Sequence, residues 1–249
     1  MKEYTIISDL HLGSNVCRAD ELLNFLDNLE TKTLILNGDV FDNLDFRRLQ
    51  KSHWKILKRI RKIADEIKVI WIKGNHDTDK AELIAHILGI DFLDDLIINS
   101  FDKTILITHG DRWDMFIKQR PLISKIADYI YRLIQTFDKK FNKDYYYSNL
   151  LKSKSKKIIR CGMVVENAIN YCRTHDIDIV ICGHTHMACL KHHLTKNEKV
   201  IEYWNSGSWT DKDCHYITIN EDEILLDEFC GKKEQLNTMR RIHEKENFE

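Results

Sequence analysis

Five apolar, β-branched runs in this chain each end directly in polar residues able to bind a metal ion. Asp9 and His11 follow TIIS, Asp39 follows LILNG, Asn75 and His76 follow VIWIKG, His109 follows ILIT, and His184 with His186 follows IVICG. Such runs read as strands. Residues 19–29 and 46–67, lying between some of them, are helix-like, and the alternation predicts an α/β sandwich. Loops at the carboxyl ends of strands converge on one crevice in open α/β sheets, so the five runs predict one shared site. Gly38, Gly74, Gly110 and Gly183 stand beside these residues, where tight turns and close backbone approach are needed.

After residue 180 the pattern changes to short strands at about 190–194, 200–204, 215–219 and 224–229, which suggest a second sheet. Residues 112–175 carry little strand signal. Within them Leu122, Ile126, Tyr129, Leu133 and Phe137 recur three or four apart, as on one helix face. This reads as a helical insertion or lid, with ordinary core packing of the stripe as the alternative. One catalytic domain over residues 1–231 is expected, followed by a polar tail at 232–249.

With 249 residues, 43% of them hydrophobic, the chain can bury one sizeable core, which excludes a disordered or fibrous protein. No run approaches the roughly 18–20 apolar residues of a membrane span. The start, MKEYTIISD, lacks the features of a signal peptide, so a cytoplasmic location is expected. Seven cysteines without CxxC spacing argue against a disulfide framework and a zinc-thiolate site. The formal charge of -1 hides an asymmetry: residues 112–160 hold 13 Lys or Arg against 4 Asp or Glu, and the remaining 200 residues carry -10. The basic segment is either a solvated face or an attractor of an anionic substrate or lipid surface.

The blocks SDLHLG, GDVFD, GNHD, THGD and GHTH, in this order between residues 5 and about 210, resemble those of the metallophosphoesterase superfamily. The resemblance implies an α/β/β/α sandwich of two mixed sheets with a helical insertion as lid. It implies one divalent ion held by Asp9, His11 and His186, a second by Asn75, His109 and His184, and Asp39 bridging the two. Carboxylate, amide and imidazole without thiolate suit manganese first, with iron, cobalt or zinc as alternatives, rather than a closed structural zinc site. Such a pair of ions activates a shared water for attack on phosphorus. His76 is implied as the acid beside the leaving group, a structural histidine being the alternative, with Asp77 as candidate to orient its ring. Asp42 and Asp111 are expected to hydrogen-bond the ligands. His53, His86, His175, His192, His193 and His215 lie outside these blocks and read as surface or packing residues.

Within the superfamily the chain is most similar to the UDP-2,3-diacylglucosamine diphosphatases of lipid A synthesis, in the branch with His rather than Arg after the metal-binding Asn. The block spacing, the long insertion after HGDRWD, and GHTH followed by NSGSWTD carry this likeness. It implies cleavage of a lipid-linked nucleotide diphosphate to UMP and 2,3-diacylglucosamine 1-phosphate, with peripheral contact at the inner membrane. Lys154, Lys156, Lys157 and Arg160 of the basic run, and Trp209 near the site mouth, are the candidate substrate contacts. A cyclic-nucleotide or general phosphodiesterase, or a phosphatase, is the alternative on the same fold. Nucleic acid is not expected, because the body is acidic. A non-enzymatic scaffold is disfavoured because every ligand position is filled.

Overall fold

The computed structural model describes residues 2–77, 80–114, 154–195 and 198–229, the side chains of residues 154–160 aside. In chain order the elements are β1 (Tyr4–Ile7), α1 (Ala19–Asp27), β2 (Thr33–Asn37), α2 (Lys51–Ala64), β3 (Lys68–Ile72), α3 (Lys80–Leu88), β4 (Asp91–Leu93), β5 (Leu96–Ser100) and β6 (Lys103–Ile107). After these come α4 (Lys154–Thr174), β7 (Ile179–Cys182), β8 (Cys189–Leu194), β9 (Val200–Asn205), β10 (Cys214–Ile219) and β11 (Ile224–Phe229). Short 3-10 turns stand at Phe46–Arg48 and Asp111–Trp113.

The strands form two mixed sheets, ordered β11-β10-β1-β2-β3-β4 and β5-β6-β7-β9-β8. Their inner faces meet through isoleucines: Ile6, Ile35, Ile70 and Ile72 from one side, Ile105, Ile107, Ile179 and Ile181 from the other, all buried. β-branched side chains suit a pleated buried surface, and each burial contributes about 1.5–3 kcal/mol. On the outer face of the first sheet, α1, α2 and α3 cover a second core that includes Leu22, Leu26, Ile56, Ile60, Trp71 and Ala85. The outer face of the second sheet is covered by α4, whose Val164, Ala168, Ile169 and Cys172 recur at helical spacing and pack with Val180 and Tyr203. The layers are therefore helix, sheet, sheet, helix.

One expectation changes. Strands after residue 180 do not make a sheet of their own. β8 and β9 extend the sheet of β6 and β7, whereas β10 returns to pair antiparallel with β1, Ile217 opposite Ile6. Alternation along a strand says which face is buried and nothing about its neighbour, so this division was not readable locally. Of the expected lid, the described part of α4 is a core element. Residues 115–153, with the Leu122 to Phe137 stripe, lie outside the described residues, as does the tail at 232–249. None of the six described cysteines is in a disulfide. No helix among the described residues is long and apolar enough to cross a membrane.

Candidate metal centre

The parallel strands β1, β2 and β3 of one sheet and β6 and β7 of the other end at the same edge, and the loops leaving them carry the expected ligands. Pairing persists beyond the strands: the Asp9 N–H donates to the Gly38 carbonyl at 3.1 Å and the His11 N–H to the Asp39 carbonyl at 3.0 Å. Asp9, His11, Asp39, His184 and His186 all hold left-handed φ angles, between 46° and 64°. Non-glycine residues held this way cost about 1–3 kcal/mol each and persist only where their surroundings over-determine them, as at functional sites. Two glycines make room for the turns. A Cβ on Gly74 would lie 2.3 Å from the backbone nitrogen of Asp39, and one on Gly183 would lie 2.6 Å from Asp9 Oδ2.

The side chains gather into two adjoining groups. In the first, His186 Nε2 is 3.0 Å from Asp9 Oδ1 and 3.2 Å from His11 Nε2, with His11 Nε2 3.7 Å from Asp9 Oδ1. The second is formed by Asp39, His109 and His184, with His109 Nε2 3.3 Å from Asp39 Oδ2. That same Asp39 oxygen is 3.9 Å from His11 Nε2 and 3.9 Å from His76 Nε2, so it faces both groups. Its other oxygen accepts the His76 backbone N–H at 2.8 Å. Asn75 stands in the turn after β3, exposed at the rim.

The ring orientations are set from behind. His109 Nδ1 donates to the Asn37 carbonyl at 2.9 Å, leaving Nε2 toward Asp39. His184 Nε2 is 2.9 Å from the buried carboxylate of Asp114, leaving Nδ1 for a metal. His76 Nδ1 donates to the Asp42 carbonyl at 2.8 Å.

Asp77 therefore does not orient His76 as expected. Its carboxylate accepts from Trp71 Nε1 and the Gly74 N–H, both at 3.0 Å, and so braces the turn. Burial first, and then the Asp39 charge, push the Asp77 carboxyl up to about 6. Asp42 lies behind a ligand without the expected hydrogen bond, its Oδ1 being 3.8 Å from His11 Nδ1 while Oδ2 binds Arg48. Asp111 opens a 3-10 turn, and it is Asp114, three residues on, that bonds a ligand. Sequence reading missed Asp114, whose only signal was a second acid within HGDRWD. Trp209 is fully buried against Phe25 and Phe229, which removes it from the substrate contacts; its backbone N–H donates to the Asp9 carbonyl at 3.1 Å. His53, read as surface or packing, is buried, and its Nδ1 accepts the Gly13 N–H at 3.2 Å. The side chains of Lys154, Lys156, Lys157 and Arg160 lie outside those described.

The electrostatics fit cations. Burial opposes ionisation of Asp9 and Asp39, yet the surrounding imidazoles, His186 and His11 for one and His109, His76 and His11 for the other, hold both carboxyls far below the usual range. Burial likewise opposes charge on His11 and His109, and the carboxylates outweigh it, raising both. Asp9 Oδ1 and His109 Nε2 are buried without a hydrogen-bond partner. Orphaned donor atoms of mixed carboxylate and imidazole type, turned toward one another, are what a pair of divalent ions would satisfy.

Two facing sheets with adjoining His and Asp clusters at one edge, which share the Asp39 carboxylate, have the arrangement of a metal-dependent hydrolase. The family profile of the calcineurin-like phosphoesterases matches residues 3–188, and the chain belongs to that family: a metal-dependent hydrolase of phosphate esters. Similar solved structures include an archaeal phosphodiesterase, 15% identical, covering 92% of this chain and 99% of that one at a TM-score of 0.48. The phosphoesterase Yfce from E. coli is 14% identical over 90% and 91% of the two chains, also at 0.48. Wild-type Vps29 complexed with zinc, from Entamoeba histolytica, is 14% identical over 90% and 97%, at 0.40. No curated protein matches.

Proposed function

We propose that this phosphoesterase hydrolyses the diphosphate of UDP-2,3-diacylglucosamine, giving UMP and 2,3-diacylglucosamine 1-phosphate. The observation that carries the reaction type is the Asp39 oxygen facing both ligand groups. Two divalent ions bound there, manganese first, would lower the pKa of a water and neutralise charge on the phosphoryl oxygens. The chain's own residues do the rest. Asp9, His11 and His186 hold one ion, and Asn75, His109 and His184 the other. Asp42 fixes His76 through Nδ1 so that Nε2 points toward Asp39, placed to give a proton to the leaving phosphate.

The substrate assignment is supported by the resemblance of HGDRWD and NSGSWTD to the diphosphatase blocks. The basic excess in residues 112–160 also supports it, since it suits an anionic, lipid-linked nucleotide. The same excess supports residence at the cytoplasmic face of the inner membrane, whereas the acidic body outside it argues against a nucleic-acid partner. A lipid-free nucleotide diester is the second reading, favoured by the exposure of Asn75 at the rim, which leaves the described part of the site open to a small substrate.

Purified protein with manganese, given UDP-2,3-diacylglucosamine or bis-p-nitrophenyl phosphate, separates the readings, with Asp39→Asn as control. UMP release by the wild type alone supports the diphosphatase. Diester cleavage without UMP release removes the acylated substrate and keeps the reaction type.

A further inference from the structure

Helix α2 carries an arrangement that neither the metal centre nor the core uses. Its buried face is His53, Ile56, Leu57, Ile60 and Ile63. Lys51, Lys55, Lys58 and Lys62 follow at i, i+4, i+7 and i+11, so they form one stripe on the opposite face, and all four are exposed. None of them has an ion pair among the described residues. Three acids near this side already have partners: Asp27 with Arg59, Asp45 with Arg47, and Asp65 with Arg61. Beside the stripe, Trp54 is 52% exposed and Phe46 41%, their rings 6.4 Å apart. Large aromatics lying open together are unusual in a surface otherwise this charged.

The patch borders the site. Phe46 opens the 3-10 turn whose Arg48 binds Asp42, the residue behind His11 and His76. His53, on the helix itself, accepts the backbone N–H of Gly13, two residues after His11.

We infer that the α2 face is a docking surface for an anionic lipid bilayer, with the four lysines on the headgroups and Trp54 and Phe46 entering the interface. Lysine stems lie along a membrane surface with their charges at headgroup level, and aromatic rings prefer the same depth. A nucleic acid would also attract lysines, but a rigid duplex running past a 14-residue helix would meet a body that carries -10 outside residues 112–160. A bilayer touched by one face avoids that repulsion. This extends the membrane residence proposed above to a described element, and it does not depend on which phosphate ester is cleaved.

The test is sedimentation of the full-length, metal-loaded protein with substrate-free vesicles, either pure phosphatidylcholine or containing phosphatidylglycerol. Wild type should bind only the anionic vesicles and lose binding in salt. The Lys51→Gln, Lys55→Gln, Lys58→Gln, Lys62→Gln variant should bind roughly 100-fold or more weakly, since each lysine near such a surface contributes about fivefold. Its hydrolysis of bis-p-nitrophenyl phosphate and its melting temperature should be unchanged. Vesicles should shift wild-type tryptophan emission to the blue, and Trp54→Phe should remove that shift. Equal vesicle binding by the quadruple variant overturns the proposal, leaving any membrane contact to other segments. Lysine-dependent binding of RNA or DNA without vesicle binding overturns it in favour of a nucleic-acid surface.

Discussion

The Nδ1 of His76 lies 2.8 Å from the main-chain carbonyl oxygen of Asp42. A carbonyl can only accept, so Nδ1 carries the proton, and Nε2 is the ring nitrogen turned toward Asp39, at 3.9 Å. No side chain is spent on this: the orienting atom is backbone, fixed by the ladder that continues from β2 into the GDVFD loop, where the Asp42 N–H donates to the Leu12 carbonyl at 3.0 Å.

His76→Ala should therefore lower kcat by about 100- to 10,000-fold on an ester whose leaving group needs a proton. The loss on p-nitrophenyl esters, whose leaving group departs as a stable anion, should be much smaller. Metal content should not change, because the proposed ligand sets do not include His76. Equal losses on both ester types would mean that His76 only shapes the loop.

Gly74→Ala places a methyl 2.3 Å from the backbone nitrogen of Asp39. Backbone cannot swing aside as a long side chain can, so the GNHD turn must shift and carry Asn75 and His76 with it. We expect destabilisation of about 1–3 kcal/mol by chemical denaturation, with reduced metal binding. Gly162→Ala on α4, where an added Cβ meets nothing within 4 Å, is the control: as a mid-helix glycine it should gain about 0.5–1 kcal/mol and leave metal binding unchanged.

Asp114 holds His184 by Nε2, which leaves Nδ1 as the metal-facing atom. Removing such a carboxylate typically weakens metal binding 10- to 100-fold, so Asp114→Ala should do this at one of the two ions and leave the other in place. Asp114→Asn keeps an acceptor for the ring N–H and should recover most of the affinity. Calorimetric titration of metal-free protein resolves the two cases, and unaltered affinity in Asp114→Ala would show that the ring is held by packing alone.

Most of the site was legible because it is local: a parallel strand end, a glycine and a ligand lie within a few residues of one another, as in LILNGD or IVICGH. What was not legible is relational. Trp209 follows GHTH closely in sequence and sits beneath the site, yet its ring belongs to the core under β1 and α1 because Phe25 and Phe229 complete its surroundings. Asp77 follows His76 directly but turns the other way, since Trp71 and Gly74 offer it buried N–H donors. Strands β4 and β5 gave no clear signal: Asp91–Leu93 is three residues long, and Leu96–Ser100 lies at a sheet edge and is nowhere fully buried.

In the metal-free protein, burial works against charge on His11 and His109, but the paired Asp9 and Asp39 hold both imidazoles above the ordinary value of 6.5. Folded values above unfolded ones mean stability that is complete below about pH 6.5 and lost as pH rises through the raised values. The depressed Asp9 and Asp39 add none of this slope, because their contribution is already complete above the ordinary carboxylate range. Chelator-treated protein should thus melt at lower temperature as pH rises from about 6.5 to 8.5. A divalent ion needs the neutral rings, so its binding must expel these protons and tighten over the same window, and metal-loaded protein should show the opposite trend. Calorimetry in buffers of different ionisation enthalpy would count the released protons; a count of zero at pH 7 would mean that the imidazoles are already neutral and the carboxylates do not hold them charged.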